Sequence, residues 1–177
     1  MPSPPSALLV AIPEAEPLVQ PHRLRFDPVA ARGVPAHVTA IFPFVPRDHL
    51  DDAVLERLAA VAAAHPRFDF VLSHTAWFDR DVLWLGPEDP APFVDLTRAL
   101  EREFPDYPPY AGEYADVAPH LTVAHGSAMA DPDAVEAELR TGLPVTGRAE
   151  HLSLFVEDDD GRWSVLHRFA FGRVTPG

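Results

Sequence analysis

Two short stretches of this chain share one pattern, PAHVTAIFPF at residues 35–44 and PHLTVAHG at residues 119–126. In each stretch a histidine is followed by an apolar residue and a threonine. The histidine–threonine pairs are His37 with Thr39, and His120 with Thr122. Residues two apart in a β-strand point to the same face. The pattern therefore predicts two strands that each bury an apolar face and present a histidine and a threonine on the other face.

Similar elements are predicted to follow the two strands in the same order. The first is followed by a helix capped by Asp48 and a β-hairpin over 68–86. The second is followed by a helix capped by Asp131 and a hairpin over 149–172. The two histidines lie 83 residues apart, and so do the two capping aspartates. This spacing predicts an internal duplication.

A further strand at 7–13 and a helix at about 91–104 complete the predicted elements. Hairpins mixed with helices indicate the α/β (α+β) class. We expect a single domain over residues 1–177, made of two similar lobes related by a pseudo-twofold axis. Two antiparallel-rich sheets would line a central groove, with the helices outside and the two histidine–threonine pairs facing each other across the groove.

The composition excludes several kinds of chemistry. The chain has no cysteine, so thiolate ligands, disulfides and a cysteine nucleophile are excluded, and a cytoplasmic location is expected. All 14 basic residues are arginine, which excludes Schiff-base enzymes, lysine-adenylating ligases and Walker phosphate loops. The net charge of −13 disfavours a long nucleic acid as ligand. We expect a monomer. We also expect no membrane-spanning segment, since no apolar run approaches about 20 residues.

Two opposed imidazoles can act as one general acid and one general base, because histidine titrates near neutral pH. Two threonine hydroxyls can donate hydrogen bonds to phosphoryl oxygens that gain charge in a transition state. In-line displacement at phosphorus needs this arrangement and requires no metal or other cofactor. His125 lies an odd number of residues from His120, on the opposite strand face, so a metal shared by the two is not expected.

The motifs HVTA at 37–40 and HLTV at 120–123 resemble the paired H-x-[ST]-x motifs of the 2H phosphoesterase superfamily, also called the 2′-5′ RNA ligase or LigT-like family. The resemblance covers nearly the whole chain. It implies hydrolysis or transesterification of 2′,3′-cyclic or 2′,5′-linked nucleotide phosphates. It also implies that His120 activates water and His37 protonates the leaving oxygen, although the residues themselves leave the two roles interchangeable.

The family often has an arginine five residues after the second histidine, where this chain has His125. An imidazole is a weaker anion ligand than a guanidinium, which argues against binding of an RNA end. Aromatic rings could stack on a base, and Arg25 or Arg168 could supply positive charge. The predicted substrate-binding residues are His125, Phe44, Tyr110, Trp163 and Arg25.

Other features are interpreted as structural. His74 and His151 fall in hairpin strands, although HLSL at 151–154 also matches the motif. The acidic run at 157–161 is predicted to be a hairpin turn and not a calcium loop. Tyr114 and Asp116 are predicted to belong to a loop over the groove.

The expected partner is a small nucleotide or cyclic phosphate substrate. Two alternatives stay open at this point. The chain could be a non-catalytic member that binds a nucleotide or a protein in the same groove. It could instead be an RNA 2′,5′ end-processing enzyme or ligase, with RNA ends as its partner.

Overall fold

The computed structural model describes residues 2–114 and 118–173, so Asp116 lies outside the described residues. The strands are β1 Ser6–Ala11, β2 His37–Ile41, β3 Phe68–Phe78, β4 Val82–Pro87, β5 Leu121–His125, β6 Val145–Ala149, β7 His151–Glu157 and β8 Trp163–Ala170. The α-helices are α1 Glu16–Phe26, α2 Pro28–Ala31, α3 Asp52–Ala64, α4 Ala91–Glu103 and α5 Pro132–Thr141.

The strands form two four-stranded sheets, in the orders β2-β1-β7-β8 and β5-β4-β3-β6. All neighbouring strands within the sheets are antiparallel. The predicted α+β class with two antiparallel sheets is confirmed. Each motif strand, β2 or β5, lies at one edge of its sheet, and these two edge strands contact each other.

The duplication is organised differently from the prediction. The hairpin β3–β4 pairs with β5, and the hairpin β7–β8 pairs with β1, so each hairpin lies in the sheet of the other half's motif strand. The matching units are therefore β1–α1–β2–α3–β3 and β4–α4–β5–α5–β7. The boundary between the two units falls between β3 and β4, inside the first hairpin. Because β3 and β4 are neighbours in sequence and pair with each other, the sequence gives no sign of this boundary.

The helices connect the two sheets. Helix α1 follows β1 of the first sheet but packs against β5 of the second. Helix α4 follows β4 of the second sheet but packs against β2 of the first. Each motif strand is thus supported by a helix from the other unit, and neither unit can bury its own motif strand alone.

Helix α1 and strand β6 were not predicted from the sequence. Helix α1 contains Pro17 in its first turn, where an N–H is unpaired anyway, and Pro21 in its interior, where a proline normally disfavours a helix. Burial of Val19 and Arg23 against the rest of the protein overrides that local preference. Strand β6 pairs with β3, so residue 149 belongs to β6 and not to the second hairpin.

The two predicted helix caps had different outcomes. Asp131 caps α5 as predicted, since its carboxylate accepts a hydrogen bond of 3.1 Å from the N–H of Ala134. Asp48 lies in a short 3-10 helix instead, and the cap of α3 is Asp51, which accepts 2.9 Å from the N–H of Val54. The assignment of Asp48 is wrong because the chain makes an extra turn before α3 starts.

The motif strands bury the faces that the alternation predicted. Val38 of β2 and Leu121 and Val123 of β5 are buried in the main hydrophobic core. His37, Thr39, His120 and Thr122 are half-buried. The core therefore fixes both strands and leaves their polar pairs accessible. Among the described helices, none combines the length and the apolar character that crossing a bilayer requires.

Replacing Asp51 with Ala should lower the free energy of unfolding by about 1 kcal/mol, because α3 loses its N-cap hydrogen bond. Urea denaturation followed by circular dichroism measures the loss. The matched control is Asp48→Ala, which removes only an exposed contact with Arg47 at 3.7 Å and should have a much smaller effect. Equal losses for the two variants would contradict this placement of the cap.

Candidate active site

Both motif histidines are held by the same hydrogen bond. Nδ1 of His37 lies 2.7 Å from the carbonyl oxygen of Pro35, and Nδ1 of His120 lies 2.8 Å from that of Ala118. A carbonyl can only accept, so in each neutral ring Nδ1 carries the proton and Nε2 keeps its lone pair. The two bonds have the same geometry although the nearby proline occupies a different position in each motif.

His37 is a weak base in the folded protein. Removal from water lowers its pKa from the ordinary 6.5 to about 4, against the hydrogen bond to Pro35, which raises it. The positive charges of Arg23 and of protonated His120 lower the pKa of His37 further. His37 is therefore neutral near pH 7, and the two motif histidines are close enough to respond to each other's charge.

His120 is surrounded by aromatic rings. Its ring centroid lies 4.9 Å from that of Phe78, 5.9 Å from that of Trp84 and 6.4 Å from that of Tyr110, which is nearly parallel to it at 22°. This burial lowers the pKa of His120, and the hydrogen bond to the Ala118 carbonyl opposes the change. Both imidazoles thus favour the neutral form, in which Nε2 can accept a proton.

Tyr110 joins the two motifs. Its backbone N–H donates 2.7 Å to the carbonyl of Phe42, just after β2, while its ring stacks on His120. Burial raises the pKa of the Tyr110 hydroxyl, against a hydrogen bond with Thr39 that lowers it. The backbone of Tyr110 is in the left-handed region, with φ 52°, a conformation that residues other than glycine seldom adopt and that is common at functional sites.

A cavity of about 510 Å³ begins at the motifs and extends toward α4. The residues that bear on its chemistry are Thr39, Thr97, Arg98, Glu101, Tyr110 and His120. It is large enough for a nucleoside-sized group and offers one guanidinium, one carboxylate and several hydroxyls. His37 and Thr122 do not line this cavity, so the two motifs bound it unequally.

His125 does not line this cavity. Its Nε2 lies 3.7 Å from Oδ1 of Asp27, a buried carboxylate just after α1, and about 44% of its side chain is exposed. The predicted opposite-face placement of His125 is wrong. The pairing of β5 with β4 skips Val123, so Val123 and Ala124 are both buried and His125, opposite Val82, returns to the face of Thr122, opposite Trp84.

The other predicted aromatic residues lie in different environments. Phe44 is 1% exposed and packs edge-on against Phe104 and Tyr107, so it has no free ring face for a ligand. Trp163 is half-buried at the start of β8, with its ring centroid 6.1 Å from that of Phe42. Phe42 is itself partly exposed at the end of the first motif.

The two arginines of α1 lie on different sides of the helix. Arg25 is exposed, with its guanidinium over the ring of Phe26 at 4.9 Å. Arg23, two residues earlier, is buried and pairs with Asp27. The spacing of four residues between an arginine and an aspartate was the available signal for this pair, but α1 itself was not predicted.

The two other histidines and the acidic run, which were interpreted as structural, lie on hairpin strands and in a hairpin turn. His74 is exposed on β3 and its Nδ1 lies 3.0 Å from Oγ of Ser73, while His151 is exposed at the start of β7. The acidic run at 157–161 forms the β7–β8 turn, and Arg47 binds its Asp159 at 2.9 Å. In the described part of the chain, no three histidine or carboxylate side chains are grouped as a metal site would require.

The family model of the 2′-5′ RNA ligase superfamily matches residues 9–161. The chain belongs to this family. Its members are 2H phosphoesterases and RNA ligase-like enzymes, and this membership confirms the resemblance seen in the two H-x-T motifs. A comparison with curated protein sequences gave no match.

Solved structures share the 2H fold over almost the whole chain. Escherichia coli LigT complexed with NADP+ has a TM-score of 0.66 at 19% identity, covering 98% of this chain and 100% of LigT. The protein TT0787 of Thermus thermophilus has a TM-score of 0.68 at 19% identity, covering 96% of this chain and 98% of the other. A protein described as a phosphoesterase has a TM-score of 0.59 at 18% identity, with coverage of 96% and 99%. At these identities the similarity shows the fold.

The low pKa of His37 should make the 2H fold less stable in acid. The unfolded chain takes up a proton at pH 6.5, whereas the folded chain takes it up only at about 4, so stability falls as pH falls through this window. Urea denaturation at several pH values should show a smaller fall for His37→Gln. The control is His151→Gln, which removes an exposed histidine. Identical pH dependence in the wild type and His37→Gln would contradict this account.

Proposed function

We propose that this protein is a metal-independent phosphoesterase that hydrolyses a small 2′,3′-cyclic or 2′,5′-linked nucleotide phosphate, with His37 and His120 as acid and base. The observation that carries the proposal is the matched hydrogen bonding of the two imidazoles. Each ring has its Nδ1 bound to a carbonyl, and within residues 2–114 and 118–173 neither Nε2 has a hydrogen-bond partner; the two edge strands are in contact. A purely structural role requires no such pair of free nitrogens.

The reaction would use the two Nε2 atoms in turn. One neutral imidazole takes a proton from the attacking water, and the protonated partner gives a proton to the leaving ester oxygen. Thr39 and Thr122 would donate hydrogen bonds to the phosphoryl oxygens. Both imidazoles favour the neutral form in the free protein, so the acid would take up its proton when the anionic phosphate binds and raises its pKa.

The charges around His37 bear on which histidine is the acid and which the base. The family resemblance implies that His37 is the acid. Burial and, after it, the positive charge of Arg23 oppose protonation of His37, which favours His37 as the base and His120 as the acid. We therefore propose this reversed assignment for the present chain.

A small nucleotide is the substrate class that the surroundings support. The net charge of −13 opposes a long nucleic acid, whereas Arg98 in the cavity wall offers one local positive charge to a small anion. LigT, which shares the fold, has been solved with NADP+, with phosphate and with 3′-AMP. Tyr110 would lie beside the phosphate, because its hydroxyl is hydrogen-bonded to Thr39 and its ring stacks on His120.

The direct test is turnover of 2′,3′-cyclic mononucleotides, 2′,5′-linked dinucleotides and cyclic ADP-ribose phosphates with EDTA present. We expect hydrolysis of at least one class, and losses in kcat/KM of about 10²- to 10⁴-fold for His37→Ala and for His120→Ala. The double variant should lose far less than the product of the two, because the residues act as a unit. Thr39→Val and Thr122→Val should show smaller losses.

The matched control is His74→Gln, an exposed histidine outside the motifs, which should keep the wild-type rate. Near-wild-type rates in both motif variants would refute the mechanism. Activity that EDTA abolishes and one divalent metal restores would indicate a metallohydrolase instead. Tight nucleotide binding by calorimetry without any turnover would identify a binding protein that uses the same groove.

The roles of the two histidines can be separated by leaving-group chemistry. A nucleoside p-nitrophenyl phosphodiester has a leaving group that needs little protonation, so loss of the acid should cost little with this substrate. We expect His120→Ala to recover most of its rate and His37→Ala to remain slow. Steady-state release of p-nitrophenolate measures both. The opposite pattern would restore the assignment implied by the family.

A further inference from the structure

Helix α1 holds the segment that precedes the first motif histidine. Nη1 of Arg23 donates 3.1 Å to the carbonyl of Val34, and the carboxylate of Glu16 accepts 2.7 Å from the N–H of Ala36. Pro35 lies between these two anchored residues and supplies the carbonyl that binds Nδ1 of His37. Both sides of the peptide that orients the imidazole are therefore bound to one helix.

Arg23 is in turn held by Asp27. Nε and Nη2 of Arg23 lie 3.3 and 3.2 Å from Oδ2 of Asp27, and both side chains are only 2% exposed. The other carboxylate oxygen, Oδ1, caps α2 through the N–H of Val29 and lies 3.7 Å from Nε2 of His125. A continuous series of contacts thus leads from the end of β5 to the segment before His37.

Stability alone does not explain why an ion pair is buried at this position. Burying an ion pair is expensive, and well-packed apolar residues often serve stability equally well. An arginine is required here because its fork can bind the Val34 carbonyl and the Asp27 carboxylate at once, which lysine cannot do. The pair also places a fixed positive charge near His37, and that charge acts on its imidazole.

We propose that Arg23, Asp27 and His125 are positioning residues for His37: Asp27 fixes the guanidinium, Arg23 and Glu16 fix the segment 34–36, and the Pro35 carbonyl then selects the ring orientation. In this arrangement His125 supports Asp27 from β5. The inference concerns the proposed proton-transfer group, but the orientation and titration of His37 can be measured without any substrate.

The test is nitrogen-15 NMR of histidine rings in the full chain, assigned with His37→Gln. In the wild type, the ring of His37 should carry its proton on Nδ1 and titrate well below 6.5. The double variant Arg23→Gln/Asp27→Asn removes both charges without leaving one buried alone. Its His37 should titrate about one pH unit higher and populate both neutral tautomers, because the Pro35 carbonyl is no longer held.

Arg25→Gln is the matched control, since Arg25 is an exposed arginine of the same helix, and it should leave His37 unchanged. Should the double variant fail to fold, Arg23→Lys decides the question, because lysine keeps the charge but cannot make both hydrogen bonds. That variant should mix the tautomers of His37. His125→Ala should act in the same direction more weakly, and His125→Gln, whose amide can still donate to Asp27, should restore the wild-type signal.

Unchanged tautomer and titration of His37 in every folded Arg23 variant would overturn the inference. Kinetics add a second readout once a substrate is known: Arg23→Lys should lower kcat with little change in KM, whereas a phosphate ligand would change KM. If no substrate is turned over but the NMR results hold, the proposed function fails and the positioning of His37 stands. If turnover is found and His37 is unaffected by the Arg23 variants, the proposed function stands and the positioning role of Arg23 is refuted.

Discussion

The pairing of β1 with β7 is the interaction on which the rest of the structure depends. Leu8 lies opposite Leu154 and Leu9 opposite Ser153, so the start of the chain is bonded to a strand about 145 residues away. This pairing brings the hairpin β7–β8 of the second unit into the sheet of the first motif strand. The pairing of β3 with β4 likewise brings β3 of the first unit into the sheet of the second motif strand. Both motif strands are left at sheet edges, in contact with each other. A half-chain would lack both the second sheet and the helix that covers its motif strand.

The two motif histidines lie in surroundings that lower their pKa values, chiefly by partial removal from water. Each imidazole is held through Nδ1 by a backbone carbonyl and surrounded by groups that disfavour its charge: aromatic rings around His120 and the guanidinium of Arg23 near His37. Histidines in such surroundings stay neutral until an anion arrives. Under the proposed function, a phosphate between them would place negative charge next to both rings, which would couple substrate binding to proton uptake.

The departure of this chain from its family at residue 125 fits the same arrangement. Where relatives often have an arginine, His125 contacts Asp27, which binds the arginine of α1. The positive charge near the two motifs comes from Arg23 of α1 and from Arg98 of α4.

Sequence alone determined the features that depend on neighbours along the chain. The alternation in HVTA and HLTV established which faces of β2 and β5 are buried, and the Asp131 cap and both hairpins were also predicted, because strand periodicity, capping and turns are local. The tertiary structure decided the rest. Helix α1 forms despite Pro21 because Val19 and Arg23 are buried against distant strands, and Phe44 faces the core because Phe104 and Tyr107 pack around it. The exchange of hairpins between the sheets and the placement of Arg23 near His37 arise from contacts between residues far apart in sequence, which leave no periodic signal in a single chain.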